Sequence, residues 1–210
     1  KRIGVYKDIG LVSQVFDEST LATLTGHIAV GHCRYSTTGA NKWANAQPTL
    51  GATAGGDTVA LAHNGNLVNS GELLRMVQAR DGLQLRGEMK QGNTTDTALV
   101  TALLHGEEGR KLEETALELL PKVRGAYCFV FMDEHTLYAA RDPHGVRPLV
   151  LGRLERGWVV ASEQSALATV GASFIREVEP GEMIAIDEEG IRSTRFAESK
   201  PAGCVFEYVY

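Results

Sequence analysis

The stretch Ala126-Tyr127-Cys128-Phe129-Val130-Phe131-Met132 opens the longest run of predicted strands in the chain. It is short, apolar and rich in aromatic residues, which is typical of a buried strand. Similar runs follow over 136–141, 149–152, 158–161, 183–187 and 191–195. Before it we predict strands over 28–35 and 58–63, and then helices. This segregation favours an α+β fold with largely antiparallel sheets over the strict alternation of a doubly wound parallel fold.

Four helices are predicted from N-cap residues and from apolar side chains at helical spacing. Their candidate starts are Asn69 with Glu72 as a capping box, Thr94 or Thr95, Lys111, and Ser162. The third helix would extend to Val123, and the fourth would end at Gly171, since glycine accepts the conformation that ends many helices. No linker rich in proline or serine divides the chain, so we expect one domain.

The composition is typical of a soluble globular chain, with 210 residues of which 43% are hydrophobic. Its 21 Lys and Arg against 26 Asp and Glu give a net charge of −5, and no basic stripe is present, so we expect no nucleic-acid partner. No apolar run approaches the roughly 18 residues that cross a bilayer, and no signal peptide is readable. We therefore expect no membrane partner and a cytoplasmic location.

Cofactor-binding patterns are missing from the sequence. There is no Gly-x-x-x-x-Gly-Lys-Ser/Thr loop, no Gly-x-Gly-x-x-Gly and no His-Glu-x-x-His. The three cysteines are widely spaced, so they indicate neither a disulfide framework nor a zinc site of the Cys-x-x-Cys kind. We expect no cofactor in this chain. It begins with Lys1 rather than Met and ends on an apolar run over 205–210, so we also expect a fragment of a longer protein.

The first polar cluster is Gly31-His32-Cys33-Arg34-Tyr35-Ser36-Thr37-Thr38-Gly39, in which a predicted strand ends in an arginine followed by hydroxyl groups. The planar guanidinium of Arg34 is suited to bidentate binding of a carboxylate. A solvated arginine at a strand end, beside a Ser/Thr turn that includes Thr37, explains the same residues without a ligand.

The second cluster is His63-Asn64-Gly65-Asn66-Leu67, where a predicted strand runs into Asn-Gly. Asn-Gly between apolar residues is a strong hairpin signal. Alternatively, the Asn64 side-chain amide and the Gly65 backbone N–H form an oxyanion hole, since glycine has no Cβ to prevent close approach. Both interpretations remain open from the residues alone.

The third cluster is Asn93-Thr94-Thr95-Asp96-Thr97, at a predicted helix start. The helix dipole favours the Asp96 carboxylate there without any ligand, but an acidic group in this place also suits a substrate ammonium. The three clusters together offer a carboxylate binder, two oxyanion donors and an ammonium binder. That combination suits a free amino acid whose side-chain carbonyl is attacked.

Motifs spread over nearly the whole chain carry a resemblance to a known family. They are Gly31-His32-x-Arg34-Tyr35-x-Thr37-x-Gly39, Ala46-Gln47-Pro48, His63-Asn64-Gly65-Asn66-Leu67-x-Asn69 and Thr94-Thr95-Asp96. These resemble the class II glutamine amidotransferase domain of the N-terminal-nucleophile hydrolase superfamily. Four more motifs are similar to those of the amidophosphoribosyltransferase family: Arg141-Asp142-Pro143-His144-Gly145-Val146-Arg147-Pro148-Leu149, Ala161-Ser162-Glu163, Pro180-Gly181-Glu182 and Cys204-x-Phe206-Glu207-Tyr208-Val209-Tyr210.

The resemblance implies a four-layer α-β-β-α sandwich and a role for each site residue. Arg34 would hold the α-carboxylate of glutamine, with Thr37 beside it. Asp96 would bind the α-amino group. Asn64 and the Gly65 N–H would form the oxyanion hole.

The family's reaction begins with attack of an N-terminal cysteine thiolate on the glutamine amide. Glutamate is released, and the ammonia passes to a phosphoribosyltransferase domain of the same polypeptide, where it displaces the pyrophosphate of phosphoribosyl pyrophosphate in the first step of de novo purine synthesis. The sequence starts at Lys1 and not at such a cysteine. By the resemblance, residues 1–210 are a partial class II domain that lacks the transferase domain and is inactive alone. The alternatives are another class II amidotransferase, or a non-catalytic relative acting as a scaffold or regulator.

The cysteines do not replace the missing nucleophile. On a strand that directs Arg34 into the site, Cys33 would point away, and Cys128 is expected in the core. In iron–sulfur members of the family, a cysteine in the motif of Cys204 ligates the cluster, whose other ligands would lie outside this chain. The resemblance further implies Mg²⁺, a 4Fe–4S cluster in such members, and a homo-oligomer for the full-length enzyme.

Overall fold

The computed structural model describes residues 2–34, 43–80 and 95–203, together with Val205 and Val209. Its helices are α1 (Val12–Val15), α2 (Glu18–Thr23), α3 (Ser70–Gln78), α4 (Asp96–Leu103), α5 (Leu112–Leu119) and α6 (Gln164–Thr169). Its strands are β1 (Thr49–Ala52), β2 (Thr58–Leu67), β3 (Gly125–Met132), β4 (Leu137–Arg141), β5 (Val150–Leu154), β6 (Gly157–Ala161), β7 (Ser173–Glu177), β8 (Glu182–Asp187) and β9 (Gly190–Arg195). None of the helices in these ranges is long and apolar enough to span a membrane.

The strands form two sheets, a six-stranded one in the order β1-β2-β3-β4-β8-β9 and a three-stranded one in the order β6-β5-β7. The pairs β1–β2, β4–β8, β8–β9, β5–β6 and β5–β7 are all antiparallel. Short connections suffice for antiparallel strands, whereas parallel strands need long crossovers. The sheets therefore agree with the predicted α+β class.

The chain divides into two compact units. The first unit comprises Lys1–Ala62, Ser70–Thr115 and Phe131–His135, and the second comprises His63–Asn69, Ala116–Val130 and Thr136–Tyr210. In the first unit, the buried Thr49 hydroxyl lies 2.6 Å from the Thr101 hydroxyl on α4 and 3.2 Å from the Leu61 carbonyl oxygen. These bonds join β1 to α4 and to β2.

The core of the second unit lies between strands of the two sheets. Its buried members are Cys128, Ala139, Leu149, Leu151, Val178 and Ile184. Trp158 and Val160 of β6 pack against this cluster. Such close packing of apolar side chains is the main source of stability for a sheet pair, and the prediction that Cys128 lies in the core is confirmed.

Two of the strand predictions differ from the structure, and two strands were not predicted. Residues 28–34 belong to neither sheet, although their sequence favours a strand, because a strand also needs a neighbour that shares its backbone hydrogen bonds. The strand predicted over 58–63 continues to Leu67 as β2, so the Asn-Gly hairpin does not form. Strands β1 and β7 were not predicted, because each is short and only partly buried.

The helix predictions are mostly confirmed. Thr95 is the N-cap of α4, and its hydroxyl accepts a hydrogen bond from the Ala98 N–H at 3.2 Å. Gly171, with φ +71°, follows α6 as predicted. The proposed Ser162 cap is wrong, since α6 begins at Gln164 and Glu163 occupies the N-cap position. The sequence analysis did not predict α1 and α2.

The motif over 141–149 forms a turn organised by a buried carboxylate. The side chain of Asp142 is fully buried. One of its oxygens accepts the His144 N–H at 2.8 Å, and the other accepts the Tyr127 and Val146 N–H groups at 3.2 and 3.3 Å. Neighbouring Arg141 donates to the Arg147 carbonyl and the Glu177 carboxylate, both at 2.8 Å. The motif is thus a hydrogen-bonded structural element of the second unit.

Glu182, of the Pro-Gly-Glu motif, is a second buried carboxylate of this unit. Arg176 donates to both of its oxygens, at 2.8 and 2.6 Å. The Ser193 hydroxyl at 2.5 Å and the Glu179 N–H at 2.7 Å complete its partners. Burial alone would raise the pKa of Glu182, but these hydrogen bonds outweigh it and hold the pKa below its ordinary value.

This depressed pKa predicts an acid-dependent loss of stability. The stabilisation is complete above the ordinary glutamate pKa, about 4.3, and is lost as the pH falls towards the lower pKa of the folded state. We expect Glu182→Gln to reduce the free energy of unfolding at pH 7 by about 1–2 kcal/mol and to flatten its decline between about pH 5 and pH 3. Urea denaturation at several pH values measures both effects. Glu155→Gln, at an exposed site, is the control, and an equal flattening in that variant would contradict the assignment.

Candidate functional site

A cavity of about 910 Å³ lies in the first unit. Most of its wall consists of residues between Arg2 and Arg34. Residues 46–48, Ala60, Met132 and Glu134 form the rest. Its polar residues include His32, Arg34 and Gln47, and further charged residues line it as well, among them Arg2, Lys7, Asp8 and Glu134. Much of the remaining lining is apolar, from Ile3, Val5, Val15, Phe16, Ile28 and Val30. A concave surface with a few polar groups on an apolar wall is the usual form of a small-molecule site.

Arg34 lines this cavity and is half-buried. A partly desolvated guanidinium binds a carboxylate more strongly than one in open water does. Cys33 is exposed and lines the same cavity. The opposite directions expected for the two side chains rested on strand geometry, and 28–34 is not a strand, so that argument does not apply to them.

Asp96 is the first residue of α4 and is half-buried. Its carboxylate accepts the Thr97 N–H at 2.8 Å. The Thr97 hydroxyl in turn accepts a hydrogen bond of 3.4 Å from the Gln47 side-chain amide, and Gln47 lines the cavity. The contact through Gln47 brings the start of α4 next to the cavity wall that contains Arg34. In the first unit, Arg34 thus lines the cavity, and Asp96 lies next to Thr97, the contact of the cavity residue Gln47.

Asn64 and Gly65 lie on β2, in the part that belongs to the second unit. Asn64 is half-buried and Gly65 is exposed. Gly65 has a φ of +144°, which residues with a side chain rarely adopt. Side-chain amides and exposed backbone N–H groups are the donors that oxyanion holes use, so the residue types and exposure are compatible with the predicted role.

Two residues of the predicted sites, Thr37 and Cys204, lie outside the described residues. Within the described ranges, no group of three or more His, Cys, Asp and Glu side chains is placed to hold a metal ion.

Gln47 and Asn69 occur in the motifs, but no site role was predicted for either, and Asn69 was predicted only as a helix cap. Gln47 links the cavity to α4 through Thr97. Asn69 is buried, and its side-chain amide donates to the Lys122 carbonyl at 2.9 Å and accepts the Arg124 N–H at 3.0 Å. Their presence in Ala46-Gln47-Pro48 and in His63-Asn64-Gly65-Asn66-Leu67-x-Asn69 was the available signal.

Comparisons with known proteins identify the family of this chain. The sequence profile of the glutamine amidotransferase domain matches residues 32–169. The amidophosphoribosyltransferases of Mycobacterium tuberculosis and Mycobacterium leprae are each 62% identical over 207 residues, which is 98% of this chain but 39% and 37% of those proteins. The solved glutamine phosphoribosylpyrophosphate amidotransferase of Bacillus subtilis, in complex with ADP and GMP, matches with a TM-score of 0.81 at 36% identity.

That structural match covers 96% of this chain and 42% of the Bacillus subtilis chain. The chain therefore spans about two fifths of the length of the relatives that it matches. At this identity and coverage the likeness confirms the predicted fold class. The profile match extends over 138 of the 210 residues and contains Arg34, Asn64, Gly65 and Asp96. This chain belongs to the glutamine amidotransferase domain family.

Proposed function

We propose that the chain is the glutaminase part of an amidophosphoribosyltransferase, which hydrolyses glutamine to glutamate and ammonia for transfer to phosphoribosyl pyrophosphate. The observation that carries the proposal is the 62% identity, over 98% of this chain, to relatives of that name. The cavity that presents Arg34 beside the start of α4 supports it. The reaction would be the first step of de novo purine synthesis.

In this proposal each end of the substrate has its own partner. Arg34 binds the α-carboxylate of glutamine by two parallel hydrogen bonds, with Thr37 beside it. Asp96 accepts hydrogen bonds from the α-ammonium group. These contacts fix the amino-acid end, so that the side-chain amide is held in one orientation for attack.

Asn64 and Gly65 act on the other end. Attack on the amide carbon places a negative charge on its oxygen, and the Asn64 side-chain amide and the Gly65 N–H donate hydrogen bonds to that oxygen. In the family the attacking thiolate belongs to an N-terminal cysteine, and we propose that the complete gene product supplies it. The 210-residue chain is then inactive alone.

The remaining assignments concern the complete enzyme. We propose that ammonia is consumed by a phosphoribosyltransferase domain of the same polypeptide, that the enzyme is a cytoplasmic homo-oligomer, and that Mg²⁺ serves the transferase. If it carries a 4Fe–4S cluster, Cys204 supplies one thiolate. The mass of the native particle tests the homo-oligomer, and its iron content tests the cluster.

The experiment that tests the proposal uses the purified complete gene product. With glutamine and phosphoribosyl pyrophosphate, we expect glutamate and pyrophosphate to form in equal amounts, and ammonia to replace glutamine as nitrogen donor. Glutamine hydrolysis without any pyrophosphate release would point to another class II amidotransferase. Absence of glutamine hydrolysis in a correctly folded product would overturn the proposal in favour of a non-catalytic relative.

A further inference from the structure

Two glycines face the backbone of the neighbouring strand where β2 lies beside β3 in the second unit. Gly65 on β2 has a φ of +144°, and Gly125 on β3 has a φ of +134°. An added Cβ on Gly65 would lie 2.8 Å from the Ala126 carbonyl carbon and 2.9 Å from Tyr127 Cα. Cβ atoms do not approach a backbone so closely. The two strands are therefore closer here than side chains would allow.

Gly125 makes the reciprocal approach. An added Cβ on this residue would meet the Asn66 carbonyl oxygen, and would lie 2.8 Å from Leu67 Cα and 3.1 Å from the Val68 nitrogen. These are backbone atoms, which cannot rotate away as the end of a flexible side chain could. A methyl group at 125 must therefore displace the backbone over 66–68, next to Gly65.

The strands are held on both sides of this contact. On one side, the Val68 N–H donates to the Arg124 carbonyl at 2.9 Å, and the buried Asn69 side chain bonds to the backbone of Lys122 and Arg124. On the other side, the buried His63 ring packs on Phe129 with 4.8 Å between ring centroids. Since both ends are fixed, β2 cannot slide to relieve a methyl group at 125.

We infer that Gly125 is a positioning residue for the oxyanion hole, an inference that rests on the proposed function of Asn64 and Gly65. Oxyanion donors act only within a few tenths of an ångström of their best distance, about 2.7–3.1 Å from the charged oxygen. The absence of a side chain at Gly125 lets β3 support the backbone that follows Gly65 at the required position. Gly125 itself does not contact the substrate.

The test compares Gly125→Ala with Gly157→Ala in the complete gene product. Gly157 has nearly the same φ, +133°, lies in the same unit, and has no atom within 4 Å of an added Cβ. Both variants have similar backbone strain, but only in Gly125→Ala does the added methyl group displace the backbone of β2. We expect Gly125→Ala to lower kcat for glutamine about tenfold or more with an unchanged KM, because a displaced oxyanion donor weakens only the transition state. Gly157→Ala should keep the parent kcat.

Two further readouts separate positioning from a structural defect. The ammonia-dependent rate of Gly125→Ala should equal that of the parent, and calorimetric titration should find the parent's number of glutamate sites per chain. A kcat within twofold of the parent would overturn the inference, and so would a loss of glutamate sites in proportion to the loss of kcat. If the parent itself hydrolyses no glutamine, the proposed function fails before the variant is measured.

Discussion

Replacing Arg34 by alanine is expected to lower kcat/KM for glutamine about a hundredfold or more in the complete enzyme, while the ammonia-dependent rate stays unchanged. The guanidinium is half-buried at the cavity wall, and its two charge-assisted hydrogen bonds to the α-carboxylate have no substitute in the alanine variant. Such a loss costs about 3 kcal/mol, and each 1.4 kcal/mol is a factor of ten. Steady-state kinetics with glutamine and with ammonia measure the two rates.

Two companion variants make the Arg34 result specific. Arg34→Lys keeps the charge but not the planar pair of donors, so its loss should be intermediate. Arg153→Ala removes an exposed arginine that stacks 4.6 Å from the Trp158 ring and should leave both rates unchanged. An equal fall of the glutamine- and ammonia-dependent rates in Arg34→Ala would show that Arg34 supports the fold instead of binding substrate. Unchanged rates would show that it does neither.

Replacing Asp142 by alanine is expected to cost the largest amount of stability, on the order of 3–5 kcal/mol. Its fully buried carboxylate accepts three backbone N–H groups, from Tyr127, His144 and Val146. The alanine variant leaves the buried Tyr127 N–H without an acceptor, at a cost of about 1–3 kcal/mol. It also removes the acceptor of the half-buried Val146 N–H and of the His144 N–H, which add about 1 kcal/mol each. The midpoint of urea denaturation measures the loss.

Asp142→Asn provides a graded test, because the amide keeps one accepting oxygen and should lose less stability than alanine does. Asp187→Ala is the matched control in the same unit. Asp187 accepts the Glu189 and Gly190 N–H groups in the β8–β9 turn, and pairs with Arg192 at 2.7 Å. Exposed pairs of this kind contribute under about 1 kcal/mol. Equal losses in Asp142→Ala and Asp187→Ala would contradict the structural role of the buried carboxylate.

The candidate site was only partly predictable from residue order. Arg34, Asp96, Asn64 and Gly65 were all identified from short motifs, since an arginine at a strand end or a glycine after an asparagine is visible locally. Their roles stay predictions. The contact of Gln47 with Thr97, which links the Arg34 cavity to α4, joins positions fifty residues apart. No local pattern contains such a contact.

The Asn-Gly pair shows how tertiary contacts override a local preference. By sequence, this pair favours a hairpin turn. In the structure β2 passes straight through it, because the backbone of Ala126 and Tyr127 lies against Gly65 and a glycine on the opposite strand faces Asn66. The same glycine that would permit a turn instead permits two strands to approach closely.

Most of the strands, the Thr95 cap, the α+β class and the family could be predicted from the sequence, because apolar spacing, caps and motifs are properties of neighbouring residues. Which strand-like segments join a sheet depended on the tertiary structure, since residues 28–34 belong to neither sheet. The tertiary structure also decided that Asp142 and Glu182 are buried carboxylates rather than surface charges. A strand needs backbone partners from another segment, and a buried carboxylate needs donors that can include a distant one, as Tyr127 is for Asp142. Such residues become neighbours only on folding.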